Sequence, residues 1–280
     1  MEFAEQIKVI EEMSLPRIKP MGGIAVCGMG GSGIAGYILR NVYHEKPVFI
    51  FQSYYLPEFL NKNIVVFCIS YSGNTAETIS LYHQAKKRKC KTVIITSGGV
   101  LAKEKGAIII PSGLEPRQAL GYMFFAMWKM LGKSFGNVKN IVNNVKDDGG
   151  IAKKIKGKIP VIYTNAGYRS LALRWKQQLN EDSKILAIAN SFPELNHNEI
   201  EARYKNAIII FLKEHDEKAM KLLRKGENVL EIQLKGKTRL ERIFYGLALA
   251  NIVSVELAKL NGENYKVYRY IERLKKLRGK

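Results

Sequence analysis

Two short stretches concentrate residues suited to holding an anion. The apolar run Ile64–Ile69 breaks into Ser70-Tyr71-Ser72-Gly73-Asn74-Thr75 before a helical pattern resumes. Upstream, Ile24–Cys27 runs in the same way into Gly28-Met29-Gly30-Gly31-Ser32-Gly33. Glycines let a ligand approach the backbone, and Ser70, Ser72, Asn74 and Thr75 offer hydrogen bonds where a helix begins. The unpaired N–H groups of that first turn point the same way, and the macrodipole favours negative charge there. A phosphate monoester suits such a cradle without a lysine or arginine. Gly28, Gly30 and Gly33 also satisfy G-x-G-x-x-G, but the dinucleotide fingerprint needs an acid at the end of the next strand. That strand ends in Phe51-Gln52-Ser53, with Glu45 before it and Glu58 beyond, so a nicotinamide cofactor is disfavoured. Neither loop ends in Gly-Lys-Ser/Thr, which excludes a P-loop.

Three further residues have types suited to proton transfer or charge stabilisation. Arg117 follows Pro116 at an expected helix start, where the dipole disfavours a cation, a mild sign of purpose. Glu181 lies in Asn180-Glu181-Asp182-Ser183, where an exposed turn acid is the ordinary reading. Among four histidines, His44, His83 and His215 sit in solvated contexts, whereas His197 lies in the polar cluster Asn196-His197-Asn198 just past a strand. Cys27, Cys68 and Cys90 have no paired or metal-ligand spacing and read as buried thiols of a reducing, cytoplasmic protein. No metal site and no cofactor are expected.

The elements that position these residues alternate regularly. Short β-branched apolar runs are expected as strands at Ile24–Cys27, Val48–Phe51, Ile64–Ile69, Thr92–Thr96 and Ala107–Ile110, then Pro160–Tyr163, Ile185–Ala189, Ala207–Phe211 and Val229–Gln233. Helices fall between them: after Gly33 and Thr75, around Leu101, over Arg117–Leu131, Ser170–Leu179, Glu217–Leu223, Leu240–Leu260 and Tyr268–Leu277. This is an α/β pattern of parallel sheets covered on both faces. The glycine-rich breaks at Gly132–Asn137 and Lys146–Gly150 divide it into domains 1–148 and 149–280. Trp128, Phe124, Phe125 and Met127 read as core or interface, Tyr122–Met130 as an apolar surface able to pair two copies, and Tyr265, Tyr268 and Tyr270 as packing.

Composition narrows the partners. The net charge is +20, which attracts anions in general. The basic runs Lys86–Lys89 and Arg273–Lys280 lie on helix patterns and read as solvated faces, and no nucleic-acid-binding motif is present. The acidic, amphipathic N-terminus is no signal peptide, and no apolar run is expected to approach the roughly 20 residues of a membrane span.

The pair GMGGSGIAG and SYSGNTAET resembles the sugar isomerase (SIS) fold. With Glu115-Pro-Arg-Gln-Ala-Leu-Gly-Tyr122, Leu179-Asn-Glu-Asp-Ser-Lys184 and Pro193-Glu-Leu-Asn-His-Asn-Glu199 in that order, the chain resembles the archaeal and bacterial bifunctional phosphoglucose/phosphomannose isomerase family over roughly residues 20 to 260. The resemblance implies two SIS-type units and a metal-independent aldose–ketose isomerase. Its substrates would be glucose 6-phosphate and mannose 6-phosphate, each interconverted with fructose 6-phosphate. It implies that Gly31, Ser32, Ser70, Ser72 and Thr75 bind the substrate phosphate. Arg117 would face the reacting C1–C2 region, Glu181 would be the base and His197 would serve ring opening. A C-terminal helix lysine, matched best by Lys275 with Lys276 adjacent, would complete the site. The end of the chain departs from the family: Glu263-Asn-Tyr-Lys-Val-Tyr-Arg269 stands where a Thr-Pro element is expected. The resemblance further implies a homodimer with shared active sites, His197 reaching the pocket of the other copy. Nucleic acid and membranes are not expected partners. A non-catalytic sugar-phosphate-binding regulator and an aminosugar-phosphate isomerase share the fold. The regulator predicts an attached DNA-binding or partner domain, for which no segment is spare.

Overall fold

The computed structural model describes residues 3–147 and 150–278. The chain divides into two compact units, Met1–Asn143 and Asn144–Lys280.

The first unit runs α1 (Phe3–Glu12), β1 (Gly23–Cys27), α2 (Gly30–Val42), β2 (Val48–Phe51), β3 (Ile64–Ile69), α3 (Ala76–Lys87) and β4 (Lys91–Thr96). A 3₁₀ turn (Val100–Lys103), β5 (Ile108–Ile109), α4 (Leu120–Met130) and α5 (Val138–Asn143) complete it. Its five strands are ordered β2-β1-β3-β4-β5, every neighbouring pair parallel. Every residue of β1 and β3 is buried, as expected where helices cover both faces. The chain leaves β1 toward β2 and β3 toward β4, on opposite sides. Right-handed crossovers therefore put α2 and α3 on opposite faces, and a crevice opens at the carboxyl ends of β1 and β3.

Helix α4 is the unit's central helix. Apart from Lys129 all its residues are buried, against α1 and α2. Trp128, Phe124, Phe125 and Met127 are therefore core, and Tyr122–Met130 cannot be the apolar surface expected to pair two copies. The helix also begins at Leu120, not at Arg117. Gln6 explains the difference: its side-chain amide donates to Gln118 O at 2.8 Å and accepts from Tyr122 N at 3.1 Å. Those are the two groups that an ordinary helical bond would join. Gln6 thus replaces the first rung of the ladder and leaves Pro116–Ala119 as a turn. A Cβ on Gly121 would lie 2.7 Å from Gln6 Oε1, so this arrangement needs glycine there.

The second unit runs α6 (Ile151–Ile155), β6 (Ile159–Thr164), α7 (Arg169–Glu181), β7 (Ile188–Ser191), 3₁₀ turns at Glu194–His197 and Glu199–Glu201, and β8 (Ala207–Lys213). Then follow α8 (Met220–Gly226), β9 (Val229–Gln233), α9 (Arg239–Leu260) and α10 (Arg269–Arg278). Its parallel sheet is ordered β7-β6-β8-β9, the same winding minus one strand.

Three expectations are corrected here. The strand expected over Ile185–Ala189 spans Ile188–Ser191. Lys184 adopts φ +58°, Ile185 N bonds back to Leu179 O, and Ala187 N is taken by Asn180 Oδ1, so pairing with β6 starts only afterwards. Helix α9 does have the length and apolarity of a membrane span, contrary to the reading of the sequence. It is mostly buried inside the unit, against α7 and α6, as a core helix is. Finally, Tyr268 packs, whereas Tyr270 is 86% exposed.

Candidate functional site

In the first unit the two hydroxyl- and glycine-rich loops leave the adjacent strands β1 and β3, at the point where the strand order reverses. The glycines bring them together. A Cβ on Gly28 would lie 2.9 Å from Ile69 O, and one on Gly33 would lie 2.6 Å from Gly28 O. Gly31 packs on the turn before α4, where a Cβ would meet Arg117 Cα at 3.1 Å and Pro116 O at 3.3 Å. The sequence places Gly31 and Arg117 86 residues apart; the fold puts their backbones in contact.

The β3 loop is held from inside. Ser70 is 1% exposed; its Oγ accepts from Gly73 N at 3.1 Å and lies 2.8 Å from Thr75 Oγ1. Thr75 is the N-cap of α3 by position, yet its hydroxyl caps no N–H of that helix; Met29, at the start of α2, caps none either. Both first turns therefore keep N–H groups for a ligand. Ser72 is exposed, and its Oγ accepts from Asn74 N at 3.3 Å. Ser32, buried in the first turn of α2, donates to Met123 Sδ at 3.3 Å. This is a weak bond that a better acceptor would displace. Asn74, expected to face a ligand, instead staples two loops: its Oδ1 accepts from Val100 N at 2.9 Å.

A third loop, Thr96-Ser97-Gly98-Gly99, completes the rim and was missed in the sequence. Ser97 N and Oγ reach Tyr71 O at 3.0 and 2.7 Å, and Leu101 N reaches Gly73 O at 3.1 Å. The signal was available, since β4 also ends in hydroxyls and glycines. Tyr71 then extends the framework to the arginine turn. Its hydroxyl donates to Pro111 O and accepts from Leu114 N, both at 3.0 Å. Arg117 itself is 8% exposed, with NH1 3.8 Å from Glu115 Oε2.

At the equivalent place in the second unit, between the ends of β6 and β8, one side chain bridges the two loops. Asn165, wholly buried, donates to His215 O at 3.1 Å and Glu217 Oε1 at 2.7 Å, and accepts from Glu214 N at 2.7 Å and His215 N at 3.3 Å. Its amide is thus committed to the loop that follows β8.

Glu181 ends α7, and its neighbours fix it. Asp182 is 4% exposed and accepts from Ser254 Oγ at 2.9 Å and Tyr268 OH at 3.2 Å, while Ser183 Oγ donates to Ser254 O at 2.6 Å. These bonds dock the end of α7 on α9 and on the segment leading into α10, leaving Glu181 partly exposed. His197 is exposed on the loop after β7. Helix α7 returns from the carboxyl end of β6 to the amino end of β7, so Glu181 and His197 lie toward opposite edges of this sheet. The four residues of β7 alone separate them by roughly 13 Å. The unit does not bring the two together. Lys275 and Lys276 fall in α10, but their side chains lie outside the described residues.

Comparison with known proteins agrees with this architecture. Residues 18–128 match the SIS domain, and residues 145–277 match the bacterial phospho-glucose isomerase C-terminal SIS domain. The crystal structure of a glucosamine-6-phosphate deaminase from Thermotoga maritima superposes with a TM-score of 0.71 at 18% identity, covering 94% of this chain and 92% of that one. The D-glucosamine-6-phosphate 4-epimerase of Sulfolobus acidocaldarius is 35% identical over 67% of this chain and 66% of its own. The bifunctional phosphoglucose/phosphomannose isomerase of Thermoplasma acidophilum is 36% identical over 99% of this chain and 97% of its own length. A match of that extent, over both SIS domains and with the loops placed as described, means that the chain belongs to the bifunctional phosphoglucose/phosphomannose isomerase family.

Proposed function

We propose that this protein interconverts glucose 6-phosphate and mannose 6-phosphate with fructose 6-phosphate through a cis-enediolate, without a metal. The observation that carries the proposal is the contact between Gly31 and Arg117. It brings the turn that carries a permanent cation against a loop suited to phosphate, as a substrate needs whose phosphate is fixed while negative charge develops elsewhere on it.

Gly31, Ser32, Ser70, Ser72, Thr75 and the open first turns of α2 and α3 hold the phosphate. Glu181 moves the proton between C2 and C1, because one carboxylate oxygen reaches both carbons from one face of the enediolate. Arg117 stabilises the enediolate oxygens without changing protonation state. His197 opens the sugar ring, and Lys275 assists. Glucose and mannose phosphates differ only at C2 and share one enediol, so rotation about C2–C3 before the proton returns serves both.

The working form is a homodimer of a cytoplasmic enzyme of carbohydrate metabolism. Glu181 and His197 flank opposite ends of β7, which supports a shared site in which His197 acts on the substrate held by the other copy. Its exposure supports this.

The test is a coupled assay of purified protein with glucose 6-phosphate and mannose 6-phosphate, EDTA present. Turnover of neither sugar overturns the proposal, and abolition by EDTA overturns the metal-free mechanism. The likeness to the Sulfolobus epimerase supports an aminosugar reading, so glucosamine 6-phosphate belongs in the same assay; turnover of it alone would replace the hexose reading.

A further inference from the structure

The second unit contains a polar cluster that the chemistry above does not use. Tyr163, on β6, is wholly buried, and its hydroxyl donates to Glu199 Oε2 at 2.6 Å. Tyr204 Oη lies 2.7 Å from Tyr163 Oη and 2.6 Å from Glu199 O. The other carboxylate oxygen, Glu199 Oε1, accepts from Asn190 Nδ2 on β7 at 2.7 Å. A carboxylate only accepts, so Tyr163's proton goes to Glu199, and Tyr204's single proton goes to one of its two neighbours, Tyr163 Oη or Glu199 O. Burial, and then the bond to Glu199, push the Tyr163 phenol well above its ordinary range, so it remains a donor.

These surroundings do not call for a carboxylate. Tyr163 and the ring of Phe192 belong to an apolar cluster with Leu195, Phe211, Met220 and Leu223. An apolar residue at 199 and a phenylalanine at 163 would suit that cluster, at the cost of one partner each for Asn190 Nδ2 and Tyr204 Oη. What the carboxylate adds is direction, because hydrogen bonds from two different strands fix it in two dimensions.

The loop it fastens carries His197. Leu195 is wholly buried, Glu199 is clamped, and His197 is exposed midway, two residues from each anchor. Between the anchors Asn198 braces the crest: its Oδ1 accepts from Glu199 N at 2.6 Å and its Nδ2 donates to Glu194 Oε1 at 2.9 Å. Without the Glu199 clamp the crest would lose its bonds to β6 and β7 and keep only Leu195, the Asn198 brace and the Tyr204 bond to Glu199 O.

We propose that Glu199, held by Tyr163, Asn190 and Tyr204, is a positioning residue that sets the orientation of His197. This inference rests on reading His197 as the ring-opening group. The test compares Glu199→Gln, Tyr163→Phe, His197→Ala and the double variant His197→Ala/Glu199→Gln, by steady-state kinetics with glucose 6-phosphate and by thermal melting. Misplacing a catalytic group by about 1 Å lowers turnover up to about 10²-fold. Glu199→Gln should therefore lower kcat by about 10- to 100-fold with KM nearly unchanged, and Tyr163→Phe should do the same to a smaller degree. In the His197→Ala background the Glu199 substitution should change kcat by less than about twofold, because coupled residues are not additive.

An impaired His197→Ala enzyme combined with losses that multiply in the double variant overturns the inference alone, as does a Glu199→Gln enzyme at the wild-type rate. A His197→Ala enzyme at the wild-type rate overturns the reading of His197 and the inference with it. If Glu199→Gln does not fold, Tyr163→Phe, which keeps the ring in its apolar cluster, decides the matter: folded with a normal kcat, it refutes the clamp.

Discussion

Gly73→Ala tests the framework beneath the candidate phosphate loops, and its magnitude follows from the geometry. Gly73 adopts φ +69°, and a Cβ there would lie 1.8 Å from Gly98 O and 2.8 Å from Thr96 Oγ1. Real Cβ contacts are not found below about 3.0 Å, so the seam between the β3 and β4 loops must open by roughly 1.2 Å. Among the hydrogen bonds that cross that seam, three are donated by backbone N–H groups of the β4 loop: Ser97 N to Tyr71 O at 3.0 Å, Leu101 N to Gly73 O at 3.1 Å and Val100 N to Asn74 Oδ1 at 2.9 Å. Such an opening takes them beyond bonding distance, and each is worth about 1 kcal/mol net. The left-handed backbone adds about 1–2 kcal/mol for alanine. With two or three bonds lost, the first unit should lose about 3–5 kcal/mol, read as a lower urea midpoint at unchanged slope. The control is Gly98→Ala, on the facing loop, where a Cβ meets nothing within 4 Å and no left-handed φ is involved; its effect should stay within about 0.5 kcal/mol. The KM for glucose 6-phosphate and the inhibition constant of inorganic phosphate should both rise in Gly73→Ala alone. A Gly73→Ala protein within about 1 kcal/mol of the control, with wild-type phosphate affinity, would refute the claim that this seam shapes the site.

What was legible in the sequence was local, and what was not depends on partners distant along the chain. Ile64–Ile69 ending in Ser70–Thr75 shows a buried strand and an anion-competent helix start with no reference to any other residue. The α/β class follows from repeating that pattern, and both SIS matches agree with it. Neighbouring placement of the β1 and β3 loops was less accessible, because β2 lies between those strands in sequence but outside them in the sheet. The start of α4 was misjudged because Gln6, more than 110 residues upstream, takes its first rung. Asn74 looked like a ligand donor because its type suits either task, and only the position of Val100 N decides between them. Strand β7 slipped because Ile185-Leu186-Ala187 is as apolar as a strand, while the φ of Lys184 and the Asn180 side chain hold it out of the sheet. Thr96–Gly99 carries the same hydroxyls and glycines after a strand as the β1 and β3 loops, so its place on the rim was within reach of the sequence. The separation of Glu181 from His197 was beyond residue types altogether. It comes from the return direction of α7, and it is the feature that most constrains how the chemistry is assembled.

Glu181→Gln should keep phosphate affinity while kcat falls by about 10² or more; near-normal turnover in steady-state assays would remove Glu181 from the mechanism. Ser72→Ala and Thr75→Ala should weaken both hexose phosphates alike, since each bond to a charged group is worth roughly 1.5–3 kcal/mol; loss of one substrate only would assign the loop to the sugar. At low pH, Glu231 should contribute to unfolding. Its hydrogen bond with Arg224, then that with Lys213, hold its carboxyl below the ordinary range. That contribution is complete above the unfolded value of about 4.3 and is lost as pH falls through the lower folded value. Glu231→Gln should therefore flatten the loss of stability below about pH 4 in acid titrations followed by circular dichroism, and an unchanged profile counts against the pairing. Glu181→Gln and His197→Ala, each inactive alone, should complement when combined, because Glu181 and His197 face opposite edges of one sheet. In a mixed dimer one site collects both substitutions, while the other joins an intact Glu181 to an intact His197. Random pairing makes half the molecules mixed, with one good site of two, so about a quarter of the wild-type rate should return. Coexpression with two tags isolates the mixed dimers, which should run at about half the wild-type rate; mixed dimers no faster than either parent would mean that each site is completed within a single chain.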